Sequence, residues 1–370
     1  MKPKKIKNIS ECIKKINSSK VKKVFILSGY NSLIKSGLKK SFIDEINDKN
    51  KIKMYFKKEN LPDTKELINI IKEFKICKPD LFIAIGGGAV LDYAKIVNII
   101  QDSKNLIFKI KNYSYKSKKK NSKLIAIPTT AGSGAEVTSN AVIYHKKIKY
   151  SFEDRLLVPD NFCLCPNALI NIPKKIKASS GFDAIAQSIE SILSKKSNNK
   201  SIQFAKDSLK ISNNYFMKYL KVPNFHNSLK MAEAANLSGQ AINISKTTAP
   251  HATSYGFSAM HNISHGHAVS LNFEGFMLFN YLYSENKLET KNKFKEILKI
   301  TKTKNINEFI NYIKYLKRSS GLEDDYKKLN INIRKDLNQI LKGVNPLRLK
   351  NNPVDLDIEN LKNIILRKNI

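Results

Sequence analysis

Apolar positions in the first half of this chain fall in short unbroken runs; in the second half they fall at helical spacing. Val24–Ser28 (VFILS), Ile52–Phe56, Leu81–Ile85 (LFIAI) and Leu124–Ile127 (LIAI) read as strands. Between two of them, Asp63–Phe74 sets Leu67, Ile70, Ile71 and Phe74 on one helical stripe. Strands separated by helices predict a parallel sheet with crossover connections. A turn at Gly29–Tyr30–Asn31 follows the first strand, and the polar, lysine-rich stretch Asn112–Ser122 reads as an exposed loop. Around Val158–Pro173 the character changes, with Pro159, Pro166 and Pro173 punctuating short extended pieces. Beyond Lys174, amphipathic patterns such as Ala178–Leu193 and Ile202–Leu220 predict long helices. The expected organisation is an α/β domain over residues 1–166 and an all-α domain over 167–370, with no internal repeat.

At 370 residues and 42% hydrophobic, the chain can bury a core for two domains. Its longest apolar segment, Leu81–Ile100, carries Asp92 and Lys95, short of the roughly 18 uninterrupted apolar residues of a membrane span. The basic N-terminus has no apolar stretch behind it, so the expected location is the cytoplasm. Cys12, Cys77, Cys163 and Cys165 form no CxxC pair and read as reduced thiols. The formal charge of +35 raises nucleic acid or a membrane surface as partners. Against this, the basic residues are spread along the chain, and only five of the 66 are arginine, the better reader of phosphate. The expectation is a solvated lysine surface, binding neither nucleic acid nor membrane, that steers an anionic substrate inward.

Two loops carry candidate chemistry. Ile85 runs into Gly86, Gly87 and Gly88, and a helix follows with Asp92 and Lys95 three apart. Glycines at a strand-to-helix turn let backbone N–H groups approach a pyrophosphate at the positive end of a helix dipole. The second loop, Pro128–Thr138 (PTTAGSGAEVT), offers the hydroxyls of Thr129, Thr130 and Ser133 among small residues. Its plainer reading is a helix cap at Ser133 with Glu136 three positions on. Loops of this kind after successive strands favour a ligand crevice at the strand ends.

Four of the six histidines fall between His251 and His267, in HATSYGFSAMHNISHGHA. Upstream, GFDAIAQSIE places Asp183 and Gln187 four apart, on one helix face. An aspartate there is commonly a helix-dipole partner, but clustered histidines downstream point to a metal.

In these motifs and their order the chain resembles the iron-containing (group III) alcohol dehydrogenases over nearly its whole length. GGGAVLDYAK is similar to the family's cofactor turn, PTTAGSGAEVT to its threonine-rich loop, and GFDAIAQSIES to its first metal-binding helix. The resemblance implies a Rossmann-like, dehydroquinate synthase-like first domain. It makes Asp183, His251 and His265 metal ligands, and places Lys149 against the cofactor with Gly86, Gly87, Gly88, Asp92, Thr129, Thr130 and Ser133. Many members have histidine, a fourth ligand, where Gln187 stands, which makes Gln187, a weak neutral oxygen donor, the candidate fourth metal residue here; another histidine is replaced by Tyr255. Three protein ligands and an open position suit a catalytic ion. Gln187, Tyr255, the HGHA tail and NPLRLKNNPVDLDIENLKNIIL resemble the phosphonoacetaldehyde reductase branch, whose members form 2-hydroxyethylphosphonate.

The implied activity is NAD(P)H-linked interconversion of a small aldehyde and its alcohol in a homodimeric enzyme. Fe²⁺ or Zn²⁺ would polarise the carbonyl, and Tyr255, His267 or a water would deliver the proton, with His261 a weaker candidate. Family members that use NAD carry an acidic residue after the first strand. Here that strand ends Leu27-Ser28-Gly29-Tyr30-Asn31, which removes repulsion against a 2′-phosphate and favours NADPH over NADH. The alternatives are a metal-dependent lyase or synthase of the same fold and a basic nucleic-acid-binding protein.

Overall fold

The computed structural model describes residues 2–46, 50–59, 61–100, 104–112, 114–115, 117–146, 148–284 and 287–368. Positions 113 and 116 of the expected lysine-rich loop lie outside the described residues. Two compact units form, one of residues 1–172 with 223–232, the other of residues 173–222 with 233–370.

The first unit begins β1 (Lys4–Ile6), α1 (Ile9–Ser18), β2 (Lys23–Gly29), α2 (Tyr30–Ile34), a π-helical turn, β3 (Lys51–Lys57) and α3 (Thr64–Cys77). It continues with β4 (Leu81–Gly86), α4 (Gly88–Ile99), α5 (Leu106–Lys111), β5 (Lys123–Pro128), β6 (Asn140–His145), β7 (Ile148–Glu153), β8 (Asn161–Cys163) and α6 (Asn167–Ile170). Six strands pair in parallel in the order β1-β8-β5-β4-β2-β3, and β6 pairs with β7 as an antiparallel hairpin. Of the expected strands, β2, β4 and β5 lie inside the sheet and β3 forms one edge; Val24–Leu27 and Phe82–Ile85 have almost no exposed surface. Burial of each such side chain contributes about 1.5–3 kcal/mol. Phe25, Phe74 and Phe82 lock α3 onto the sheet, with ring centroids 4.9–5.5 Å apart.

Three expectations are corrected. The turn at Gly29–Asn31 is the start of α2, which follows β2 directly. Between Val158 and Pro173 only Asn161–Cys163 is a strand, and Asn167–Ile170 is helical. Ser133 caps no helix, because its loop leads instead into β6. The strand order reverses beside β2, which has β3 on one side and β4 on the other. In open α/β sheets ligands bind at such a switch, which here lies at the carboxyl ends of β2 and β4.

The second unit is helical, with α7 (Lys174–Leu193), α8 (Asn199–Lys221), α9 (Phe225–Ser245), α10 (Ala249–His261), α11 (His265–Ser270) and α12 (Phe273–Leu282). It ends with α13 (Leu288–Thr301), α14 (Ile306–Ser320), α15 (Ile333–Lys342), α16 (Pro346–Leu349) and α17 (Ile358–Leu366). Residues 225–232 of α9 group with the first unit. None of the described helices is long and apolar enough to cross a membrane. The four cysteines are unpaired, and burial pushes the Cys12 thiol up to about 12.

Helix α7 is buried nearly all round, and α11 lies against it at backbone distance. A Cβ on Gly266 would stand 2.0 Å from the Ser179 carbonyl oxygen and 2.8 Å from Asp183 Cβ. No rotamer change relieves a clash with backbone, so only glycine allows this approach. Gly266→Ala is expected to force α11 off α7, at a cost of about 1–3 kcal/mol or more. Differential scanning calorimetry would show a melting temperature several degrees lower, and an unchanged one would refute the close-packing account.

Candidate functional site

The cofactor candidates of the first unit meet at adjacent strand ends. In the sheet register Gly86 lies beside Pro128, and the Thr129 N–H donates to the Gly86 carbonyl at 3.0 Å. A Cβ on Gly87 would touch the Thr130 side chain at 3.3 Å, and one on Gly88 would clash with Ser133 Oγ at 2.9 Å. The glycine turn and the threonine loop therefore pack into one surface. At its centre α4 begins, with its first N–H groups directed out of the helix end. Lys95 buttresses this surface from below. Its buried ammonium donates to the Ala135 carbonyl at 3.0 Å and to Thr138 Oγ1 at 2.9 Å, and burial holds its pKa down to about 8. Asp92 Oδ2 accepts the Val142 N–H at 3.0 Å and its other oxygen lies 3.7 Å from Lys95. Burial raises the Asp92 carboxyl, while Lys95 and then Lys149, on β7, act against that. Asp92 thus ties α4 to the β6–β7 hairpin that carries Lys149.

The metal candidates meet within the second unit. One ligand atom each from Asp183, His251 and His265 all lie within 4.8 Å of one another. Asp183 comes from α7, His251 from the first turn of α10, and His265 from the first residue of α11. Asp183 and His251 are buried and His265 is half-buried. His251 Nε2 is 3.1 Å from Asp183 Oδ1, and the two imidazoles meet edge to face with centroids 5.2 Å apart. A carboxylate oxygen and two imidazole nitrogens at one buried point fit a divalent transition ion such as iron or zinc.

Glu190, which the sequence reading quoted without a role, completes the site. Residues 183, 187 and 190 follow the i, i+4, i+7 spacing of a single helix face. Glu190 Oε1 accepts from His251 Nδ1, and its Oε2 accepts from both the N–H and the hydroxyl of Thr248 at 2.8 Å. With Nδ1 committed to Glu190, Nε2 is the nitrogen left to face Asp183 and a metal. The signal in the sequence was this spacing alone, which a core helix also shows.

Gln187 does not offer its oxygen to the cluster. Its Oε1 accepts from Ser238 Oγ at 2.9 Å, and its Nε2 donates to Asp183 Oδ2 at 3.2 Å. In this arrangement the amide holds Asp183 in place, and Asp183, His251 and His265 remain as candidate ligands. His267 is buried, but its Nε2 donates to the Glu323 carbonyl at 2.6 Å, a packing bond that occupies the proton it was expected to deliver. His261 lies 3.4 Å from Asp336 of α15, apart from the cluster. Tyr255 lies beside the cluster, its ring stacked on His265 at 5.9 Å and 27°. Burial raises its phenol pKa, against the pull of a hydrogen bond with Arg348.

Burial by itself would lower the pKa of His251, but Glu190 and Asp183 together raise it to about 9. Burial likewise works against ionised Asp183, and the hydrogen bond to His251 and the charge of His265 outweigh it, lowering its pKa. Without a metal, His251 therefore carries a proton at neutral pH, and an incoming cation must displace it. Zn²⁺ affinity is expected to rise about tenfold per pH unit from 7 towards 9, with release of close to one proton. Calorimetry in buffers of different ionisation enthalpy measures that release, and a flat profile would count against the assignment. Glu190→Gln is expected to weaken metal binding about 10- to 100-fold in a chelator competition, and an unchanged affinity would remove Glu190 from the site.

Comparison with known proteins agrees with this construction. The pattern described as iron-containing alcohol dehydrogenase matches residues 1–166, and that of the Fe-containing alcohol dehydrogenase family C-terminal region matches residues 177–369. The chain is 29% identical over 201 residues to an aldehyde-alcohol dehydrogenase of Streptococcus pneumoniae, across 51% of this chain and 23% of that protein. It is 28% identical over 222 residues to the 1-propanol dehydrogenase of Citrobacter freundii, across 59% of this chain and 56% of that one. The chain thus spans about a quarter to about half the length of these curated relatives. Among solved structures, an iron-containing alcohol dehydrogenase of Thermococcus thioreducens superimposes with TM-score 0.87 at 20% identity, over 99% of this chain and 98% of that one. The sulfoacetaldehyde reductase of Bifidobacterium kashiwanohense, in complex with NAD+, gives TM-score 0.87 at 23% identity, over 99% and 97%. Two successive family patterns covering almost all of the sequence, over a fold shared with solved members, establish that the chain belongs to the iron-containing alcohol dehydrogenase family.

Proposed function

We propose that this chain is a metal-dependent, NAD(P)H-linked reductase of a short aldehyde, with residues 1–166 binding the dinucleotide and residues 167–370 the metal and substrate. The observation that carries the reading is the convergence of Asp183, His251 and His265, from three helices, at one buried point. The phosphonoacetaldehyde reductase branch, suggested by Gln187, Tyr255 and the C-terminal segment, supplies the first substrate to test. The 1-propanol dehydrogenase and sulfoacetaldehyde reductase among its relatives also act, by their names, on short-chain compounds.

When bound, a divalent cation supplies Lewis-acid polarisation of the carbonyl and a nicotinamide supplies the hydride. The protein's part is positioning. Glu190 fixes the tautomer and the ring plane of His251, while Ser238 and Gln187 fix the carboxylate of Asp183. Gly86, Gly87 and Gly88, with Thr129, Thr130 and Ser133, form a small-residue surface for the pyrophosphate; Asp92 and Lys149 lie behind it. Tyr255, stacked on His265, holds its phenolic proton at the metal cluster, where it can pass to the product oxygen. The carboxylate-free end of β2 favours NADPH.

Purified protein loaded with Fe²⁺ or Zn²⁺ is expected to oxidise NADPH when given phosphonoacetaldehyde, read as loss of absorbance at the nicotinamide band. Asp183→Ala is expected to lower turnover on the order of a thousandfold, and chelation to abolish it until metal is restored. Failure to oxidise either nicotinamide with any short aldehyde would sink the reading.

A further inference from the structure

Tyr255, whose ring lies against His265, has a partner far along the chain in Arg348. Tyr255 lies four residues after His251 on α10, so both side chains stand on one helix face. Its hydroxyl is hydrogen-bonded with the Arg348 guanidinium, and its ring covers His265. Arg348 therefore stands one side chain away from the metal ligands.

Arg348 is held there from both ends of its segment. The Arg348 N–H donates to Asn345 Oδ1 at 3.0 Å, which caps the short helix α16, and the Asn345 N–H donates to the Ala252 carbonyl of α10 at 3.3 Å. Just downstream, Asn351 Nδ2 donates to the carbonyls of Ser245 and Thr247 at 2.9 Å, and its Oδ1 accepts from Ser194 Oγ at 3.0 Å. Those carbonyls belong to the connection that enters α10 at Thr248, the residue gripped by Glu190. One chain of hydrogen bonds thus registers Arg348 against the helices that carry Asp183 and His251.

The residue type adds to the argument. This chain uses lysine for all but five of its 66 cationic positions, so the coding bias runs against arginine here. A planar guanidinium meets an oxyanion with two parallel N–H donors, which an ammonium cannot do. A net charge of +35 further draws small anions toward the protein.

We propose that Arg348 is the specificity residue of this site and binds the oxyanion head of a short aldehyde whose carbonyl is presented to Asp183, His251 and His265. The substrate class is then an aldehyde bearing a phosphonate, sulfonate or carboxylate, in preference to an unsubstituted alkanal. This rests on the aldehyde-reductase reading above.

The test compares metal-loaded wild type, Arg348→Gln and Arg348→Lys on phosphonoacetaldehyde, sulfoacetaldehyde, succinic semialdehyde and butanal. In Arg348→Gln the KM for the anionic aldehydes is expected to rise about 10- to 100-fold more than that for butanal, with kcat falling less. Arg348→Lys is expected to fall between the two, because it keeps the charge without the fork. The three anionic substrates rank the head group, and NADPH titration by fluorescence separates substrate from cofactor phosphate. Equal losses on butanal and the anionic aldehydes, or a weakened NADPH complex as the main effect, would overturn the proposal. Methylphosphonate binding, measured by calorimetry without cofactor, keeps the two readings apart. Arginine-dependent binding in a protein that reduces no aldehyde would spare the anion site and sink the reductase. Reduction of butanal with no preference for anionic aldehydes would do the opposite. Tyr255→Phe checks the linkage independently, since loss of the hydroxyl that holds Arg348 is expected to raise the KM for the anionic aldehydes alongside any fall in kcat.

Discussion

The carboxylate of Glu190, with no exposed surface, binds a backbone N–H, a hydroxyl and an imidazole at once. Through those contacts it fixes where α10 begins and which nitrogen of His251 faces Asp183. An isolated buried carboxylate is costly, and three charge-assisted hydrogen bonds compensate it only if every donor stays in place. The geometry of α7 against α10 is therefore constrained by electrostatics as well as by packing. Gly266 adds the steric half of the constraint by letting α11 approach α7 until His265 reaches the same point.

The resulting site concentrates charge. Asp183 and Glu190 flank His251, and the imidazole answers them by holding its proton well above the usual histidine range. In the proposed metal-bound site a divalent cation would replace the proton on His251 Nε2, meeting Asp183 and the His251 and His265 nitrogens while Glu190 keeps the Nδ1 proton. Gln187 fits this economy, because a neutral amide can hold Asp183 by hydrogen bonding without adding a further charge.

The first unit solves a different problem with different chemistry. There Gly86, Gly87 and Gly88 pack against Thr130 and Ser133 at the strand ends, an arrangement that would let the backbone of the proposed dinucleotide site come close to a ligand. Lys95 and Asp92, buried beneath, hold the threonine loop and the β6–β7 hairpin to α4.

How much of this was legible depends on whether the signal was local. Strands β2, β3, β4 and β5, the long helices α7 and α8, both loops and the Asp/His/His set could be read directly, because periodicity, glycine runs and histidine density are written in consecutive residues. The edge strand β1 and the hairpin β6–β7 were missed, since short half-exposed strands lack a continuous apolar run. Glu190, Ser238, Gly266 and Arg348 could not be assigned roles either. Each acts on a residue far away in sequence, and only the folded chain decides which pairs meet. Sequence by itself determined the kinds of chemistry available, because side-chain type and helical phase are local properties. Tertiary structure decided which His251 nitrogen faces Asp183, that the Gln187 oxygen is taken by Ser238, and that an arginine from the last helices stands beside Tyr255. Those outcomes depend on distances between segments that no local pattern encodes.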